Sequence, residues 1–374
     1  MNITILGAGF AALTAVKNVR KQAPDANITV IAPFKTLTYL PSIIWIPANL
    51  RKGEDLKIDL SRFFQRNNVN HIEASVTNVI NLGRTVQTDE GDFDNDGLII
   101  ASGGRFIKKL PGIEHVITPC EGIFAAEKIK SRLNELEGGT IAIGFGGNPN
   151  EPSAMRGGPM FEFLFGIDTL LRRQNRRDQF EIIFFNPALK PGMRLGEKVP
   201  DMVLKMMAKR NIKTHLGEKM KGFEANKVIT ENNEIIADLI LFMPGMTGPS
   251  WTQNSDISKS KGGLIKANAS CQVEGLEKTY VAGDSGSFPG PEWQPKQAHA
   301  ADIQAAVASR NLVAELKGKP ANEVFKHELF CIIDTLSHGV LIKRTESGTF
   351  MLPPLRIMHY AKRLFEGIYL KQYK

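Results

Sequence analysis

Three cysteines in 374 residues (Cys120, Cys271 and Cys331) are too few to staple a fold, although one redox pair remains available. No apolar run approaches the ~20 residues that a membrane-crossing helix needs, so the chain is not expected to span a bilayer. A secretory leader is not expected either, because an apolar strand begins at residue 2. No RNA- or DNA-binding motif is present and no metal site is expected. The basic residues are scattered until the C-terminus, so the net charge of +8 points to an anionic membrane or substrate rather than to nucleic acid. The expected address is the cytoplasmic side of a membrane, as a peripheral protein, with a soluble cytoplasmic protein as the alternative. At ~150 residues per domain the length suggests two domains and a remainder.

What is present begins at once. Ile3, Ile5 and Leu6 read as a buried strand that turns through Gly7-Ala8-Gly9 into an Ala-rich helix reaching about Lys21. This is the G-x-G-x-x-A arrangement of a dinucleotide-binding βαβ unit. Gly7 permits the tight turn, Gly9 lets a pyrophosphate approach the backbone, and Ala12 lets helix and strand pack closely. The first turn, with Phe10 and Ala11, offers unpaired N–H groups to phosphate. The next strand, residues 27–32, runs into Pro33-Phe34-Lys35 without the acid that commonly holds a ribose hydroxyl. Leu40 to Pro47 is apolar and carries two prolines, and reads either as a core loop or as backbone beside a flat ring, which makes Pro41 a candidate. Residues 54–100 read as a helix followed by short strands. An apolar strand ending in Ala101-Ser102-Gly103-Gly104 puts small residues where another backbone or a cofactor comes close.

A second strand–glycine pattern at residues 138–147 suggests another Rossmann-like unit, but an insertion from Asn148 to Pro159 separates the glycines from the next helix. A compact phosphate turn has the helix start within a few residues, and the following strand, 180–185, ends in Asn186 rather than an acid. Both features argue against NADH there. The fold class expected is α/β: two Rossmann-like domains with a C-terminal amphipathic helical tail. Residues 1–110 and 245–320 form the first domain, 111–244 the second, and 321–374 a separate C-terminal segment.

The pairing of Gly7-Ala8-Gly9-Phe10-Ala11-Ala12 with Ala282-Gly283-Asp284 resembles the FAD flavoproteins that carry two dinucleotide-binding domains. Within them the chain is similar to sulfide:quinone oxidoreductases, and secondarily to the flavin subunit of flavocytochrome c sulfide dehydrogenase. The matches include residues 40–45, Cys120 ahead of its helix, Gly158-Pro159 with Glu162, Pro295-Lys296, Cys331 and a basic amphipathic C-terminus. The resemblance implies FAD as cofactor, Asp284 on its ribityl chain, sulfide or another sulfur donor, and a quinone acceptor. It also implies two redox cysteines. Cys331 falls at the second, whereas Arg156 stands where the first would be. Cys120 matches an auxiliary cysteine that need not reach Cys331. A buried helix cysteine is the plain alternative for Cys331, and Cys271 is expected to be structural.

Residues 294–298 are expected to open an Ala-rich helix, with Pro295 in its first turn and Lys296 beside the reduced flavin, or else in solvent. Arg156 is expected to hold an anionic donor or to bridge to Glu162 or another carboxylate. Glu162 reads as a proton relay or an ion-paired helix residue, and His299 as a proton carrier or a structural histidine. At the C-terminus, Ile357, Ala361, Leu364, Phe365 and Ile368 recur at helical spacing, and Arg356, Lys362, Arg363, Lys371 and Lys374 outnumber Glu366. A membrane-surface helix is expected, with Tyr360, Tyr369 and Tyr373 at the headgroup level; packing on the domain or on a second subunit is the alternative. The overall expectation is an FAD-dependent sulfur-donor:quinone oxidoreductase. The alternatives are an NADH:quinone oxidoreductase and a flavin-binding protein that has lost catalysis.

Overall fold

A computed structural model describes residues 1–374. The strand β1 (Asn2–Leu6) feeds α1 (Phe10–Gln22), and β2 (Asn27–Ala32), β3 (Val69–Glu73) and β4 (Gly97–Ile100) follow. The chain then leaves for α2 (Ile123–Glu135), β5 (Gly139–Phe145), α3 (Gly158–Arg173), β6 (Phe180–Asn186), α4 (Val199–Lys209), β7 (Ile212–Leu216) and β8 (Leu239–Met243). It returns as β9 (Thr279–Val281) and α5 (Ala298–Leu316). A meander of β10 (Glu328–Asp334), β11 (Gly339–Thr345) and β12 (Gly348–Met351) leads into α6 (Arg356–Lys371).

The first sheet has the order β9-β4-β1-β2-β3 and is parallel throughout. The second has the order β7-β6-β5-β8 and is also parallel. A parallel sheet is covered on both faces, so its central strands are apolar along their length; Ile3, Ile5, Leu6 and residues 98–100 are all buried. The architecture is α/β with two Rossmann-like sheets, as the sequence pattern predicts.

Small residues set the closest approach in the first unit. Ala11, Ala12 and Ala15 of α1 are buried, as are Ala301, Ala305 and Ala308 of α5. Thr14 Oγ1 donates to Asp302 Oδ1 (2.5 Å) and Ser309 Oγ to Ala15 O (3.4 Å), tying the two helices together. A Cβ on Gly283 would lie 3.3 Å from that of Ala11 and 3.4 Å from that of Ala301. The short turn after β9 that carries Asp284 therefore meets both helices at the mouth of the glycine turn.

Four local expectations are corrected. Pro295 is not in a first helical turn: α5 starts at Ala298 with Gln297 as its N-cap. Cys331 sits on strand β10, opposite Ile342 of β11, and not on a helix. Tyr373 is fully buried against Phe63, and Tyr369 donates to Asp302 Oδ2 (2.9 Å), so neither lies at a headgroup level. Only Tyr360 of the three is exposed. The two tyrosines share one reason: an amphipathic period says which residues share a face, not which face meets the domain.

Candidate functional site

A cavity of ≈ 2150 Å³ runs between the two sheets and the C-terminal segment. Gly7, Gly9, Phe10 and Ala11 line one end, with Ala101, Gly103, Gly283 and Asp284 along the wall; Pro41, on a short 3-10 turn, lines it as well. Ala12 does not reach it; it is packed in the core, where its small side chain lets α1 lie on β1. Gly7 has φ +103, and a Cβ there would meet Ala101 O at 2.5 Å, so this glycine is required by the fold itself. A Cβ on Gly9 would meet nothing within 4 Å. No side chain caps α1, and its first backbone bond runs from Leu13 N to Gly9 O (3.0 Å). The N–H groups of the first turn are left for a ligand.

Cys120, Arg156, Glu162, Lys296 and Cys331 all line this same cavity. Arg156 Nη2 donates to Asp284 Oδ2, and its Nε to Lys296 O (3.3 Å). Asp284, not Glu162, is thus the carboxylate that Arg156 bridges. Burial works against the Arg156 charge, and Asp284 more than offsets it, so the guanidinium stays firmly protonated. Lys296 is buried, 7% exposed, with its ammonium donating to Gly286 O; the surface-lysine alternative is excluded. Burial lowers it to about 8.

Glu162 on α3 accepts from Lys362 of α6 and from the Asp334 N–H (2.8 Å). Burial raises its carboxyl to about 7 in spite of Lys362. Burial also pushes both cavity thiols to about 12, Cys120 beside Arg156 and Glu162, and Cys331 beside Glu162 and Lys362. Neither thiol is a ready thiolate at neutral pH, and Glu162 is the acceptor within the field of both. All three cysteines are unpaired in the structure. Cys271 is buried away from the cavity, with its Sγ 3.6 Å from Gln304 O. His299 Nε2 pairs with Glu328 Oε1 (2.8 Å) at the cavity wall.

Sequence reasoning missed Lys362, Asp334 and Gln297. Lys362 looked like one more solvated cation on an amphipathic helix, yet it closes on Glu162 and on Ile332 O (3.2 Å). Asp334 Oδ2 holds His359 Nδ1 at 2.7 Å in the core. Gln297 lines the cavity, and its buried Nε2 has no protein partner, which leaves a donor for a ligand. The Gly9 gap, the open first turn of α1 and this Gln297 donor together fit a dinucleotide cofactor.

A profile of the pyridine nucleotide-disulphide oxidoreductase family matches residues 1–305. The chain belongs to that family. It is 23% identical to a sulfide-quinone reductase of Aquifex aeolicus, over 99% of this chain and 90% of the relative. It is 24% identical to a type II NADH:quinone oxidoreductase of Staphylococcus saprophyticus, over 86% of this chain and 84% of that one. The solved structure of the sulfide:quinone oxidoreductase from Aquifex aeolicus superposes over 100% of this chain and 91% of its own, with a TM-score of 0.91 at 22% identity. NDH2 from Plasmodium falciparum in complex with NADH superposes over 100% and 94%, with a TM-score of 0.78 at 12% identity. As a member of the pyridine nucleotide-disulphide oxidoreductase family the chain is an FAD-dependent oxidoreductase, and the fold is that of these flavoproteins.

Proposed function

We propose that the protein is a membrane-surface quinone reductase whose FAD takes electrons from a small sulfur donor, sulfide or a relative of it. The observation that carries this is a single cavity joining the glycine turn, two thiols and the inner face of α6. Gly7, Gly9, Phe10 and Ala11 would hold the pyrophosphate, and Asp284, whose Oδ1 is not used by Arg156, would take a ribityl hydroxyl. FAD supplies the two-electron chemistry when bound. Lys296 and the N-terminus of α5 bring positive charge to the flavin end of the cavity. On the donor side Cys331 and Cys120 present sulfur, Glu162 takes a thiol proton, and Arg156 supplies a cation in place of a second redox thiol. On the acceptor side Phe330, Ile332, Met358, Ala361 and Phe365 make an apolar passage toward α6, suited to a quinone ring.

The NADH alternative has less to stand on. Between β5 and α3 the chain from Gly146 to Gly157 is a strap rather than a phosphate turn. Asn148 Nδ2 donates to Met246 O and Gly262 O (both 2.9 Å), and Glu151 accepts from Ser287 (2.9 Å). At the end of β6, Asn186 spends its carboxamide on Phe145 O (2.8 Å) and the Ala188 N–H (3.0 Å). Anaerobic mixing of holoenzyme with sulfide is expected to bleach the flavin, and NADH to do so slowly or not at all. Bleaching by NADH at turnover rates of ~10 s⁻¹, with sulfide inert, would overturn the reading.

No helix is long and apolar enough to cross a membrane. On α6, Ile357, Tyr360, Leu364, Phe365 and Ile368 are exposed, with Arg356 and Lys371 beside them. The opposite face is locked down: Arg51 Nε donates to Glu366 Oε2 (3.0 Å), and Lys362 and His359 pair inward. An exposed apolar stripe flanked by cations suits an anionic lipid interface. Removing α6 would take these internal pairs with it, so the test changes only the outer face. Leu364→Glu with Ile368→Glu is expected to retain FAD and lose flotation with anionic liposomes; flotation equal to wild type means that α6 is not the anchor.

A further inference from the structure

Along one wall of the cavity the half-buried Arg156 and Arg194 and the buried Lys296 gather more positive charge than the carboxylates touching them balance. Arg156 Nε donates to Lys296 O (3.3 Å) and Arg194 Nη2 to Gln294 O (2.7 Å), so the two guanidiniums grip one short segment two residues apart. Lys296 belongs to that segment. Of these three cations only Arg156 has a carboxylate partner, Asp284. Lys296 donates to Gly286 O alone. Arg194 reaches Gln294 O and, at 3.4 Å, Ser153 O, and its Nε is buried with no partner at all. The acids in the neighbourhood are engaged or beyond ion-pair reach. Glu151 accepts from Ser153 (2.8 Å) and Ser287 (2.9 Å), and Glu292 acts on Arg194 through space without closing to an ion pair.

Carbonyl dipoles only partly replace the hydration of a buried cation, so such a group is stable when a counter-anion completes it. The deficit shows in the titration as well. Burial lowers Arg194 to about 10 against the pull of Glu292, with Arg344 adding to the effect, and lowers Lys296 to about 8 against the pull of Asp284 and Glu151. A guanidinium presents a planar fork that matches an oxyanion, and Arg156 makes no protein hydrogen bond through Nη1.

We propose that Arg194 and Arg156 form an anion subsite that holds the oxyanion of the electron donor. The donor is then a sulfur compound carrying a sulfonate or carboxylate beside its reactive sulfur, of which thiosulfate is the smallest representative. This rests on the sulfur-donor reading and gives Arg156 a role that a thiol at that position would not have. Hydrosulfide has the sulfur without the anchor, and sulfate has the anchor without the reactive sulfur.

The test is equilibrium titration of oxidised holoenzyme with thiosulfate and with sulfate, followed by calorimetry and by the flavin absorption band. Saturable binding of both is expected, weakened about 10-fold or more in Arg194→Gln, as for loss of a charge-assisted hydrogen bond, and partly restored in Arg194→Lys. Flavin content is expected to be retained in Arg194→Gln, and reduction by hydrosulfide to fall less than anion binding does. Absence of saturable binding to the wild type, or binding undiminished in Arg194→Gln, overturns the subsite. Equal loss of anion binding and of hydrosulfide-driven reduction also overturns it, because Arg194 would then only staple the 294–296 segment. Binding that depends on Arg194, with no sulfur compound reducing the flavin, overturns the sulfur-donor reading and leaves the subsite standing.

Discussion

Gly9→Val is expected to purify folded and nearly colourless. Gly9 has an ordinary extended backbone, and a Cβ there meets no protein atom within 4 Å. The substitution therefore costs the fold little, while the new methyls fill the space through which a pyrophosphate approaches the first turn of α1. Gly7→Val makes the contrast. There φ is +103 and the Cβ falls 2.5 Å from Ala101 O, so fold and cofactor are lost together. A residue forced into such a conformation costs roughly 1–3 kcal/mol before the clash is counted. The measurement is flavin per chain from the absorption spectrum, beside thermal unfolding of the apoprotein. Gly9→Val with its full flavin complement would show that the glycine turn is not the pyrophosphate site.

Glu162→Gln should have the second large effect. With both cavity thiols held near 12, a positioned base is needed to take their proton, and the Glu162 carboxyl at about 7 is matched to neutral pH. Flavin reduction by a sulfur donor is expected to rise with pH through about 7 in the wild type, as Glu162 ionises. The Gln variant should lose that limb and run ~100-fold slower or worse. Gln keeps an oxygen for Lys362 and for the Asp334 N–H, so α6 should stay docked. The same carboxyl sets a stability slope of definite sign. Between an unfolded value of ~4.3 and the folded value of about 7 the native state holds the extra proton. Stability from this group is therefore complete below that window and declines as pH rises through it. Glu162→Gln should flatten this part of the curve. A pH–rate profile unchanged in the variant would remove Glu162 from the chemistry.

Several pieces of this molecule were legible in one dimension because their cause is local. The turn at Gly7-Ala8-Gly9 follows from glycine's backbone freedom and from the apolar strand before it. The missing acid after Ala32 and the stretched segment after Phe145 are visible as letters. The stripe on α6 is a helical period, and the structure leaves Ile357, Leu364 and Ile368 of that stripe exposed. Asp284 could be placed at a strand end because small residues surround it.

Tertiary structure decided the partners. Arg156 had several carboxylates to choose from, and only the crossing of its loop over the end of β9 selects Asp284, 128 positions away. Lys362 and Glu162 are 200 apart and meet because α6 and α3 both pack against β10. The same docking buries Tyr373 and turns a carboxylate in solvent into one that titrates near 7. An ion pair, a buried lysine and a shifted carboxyl depend on which surfaces exclude water together, and the linear order of residues does not carry that information.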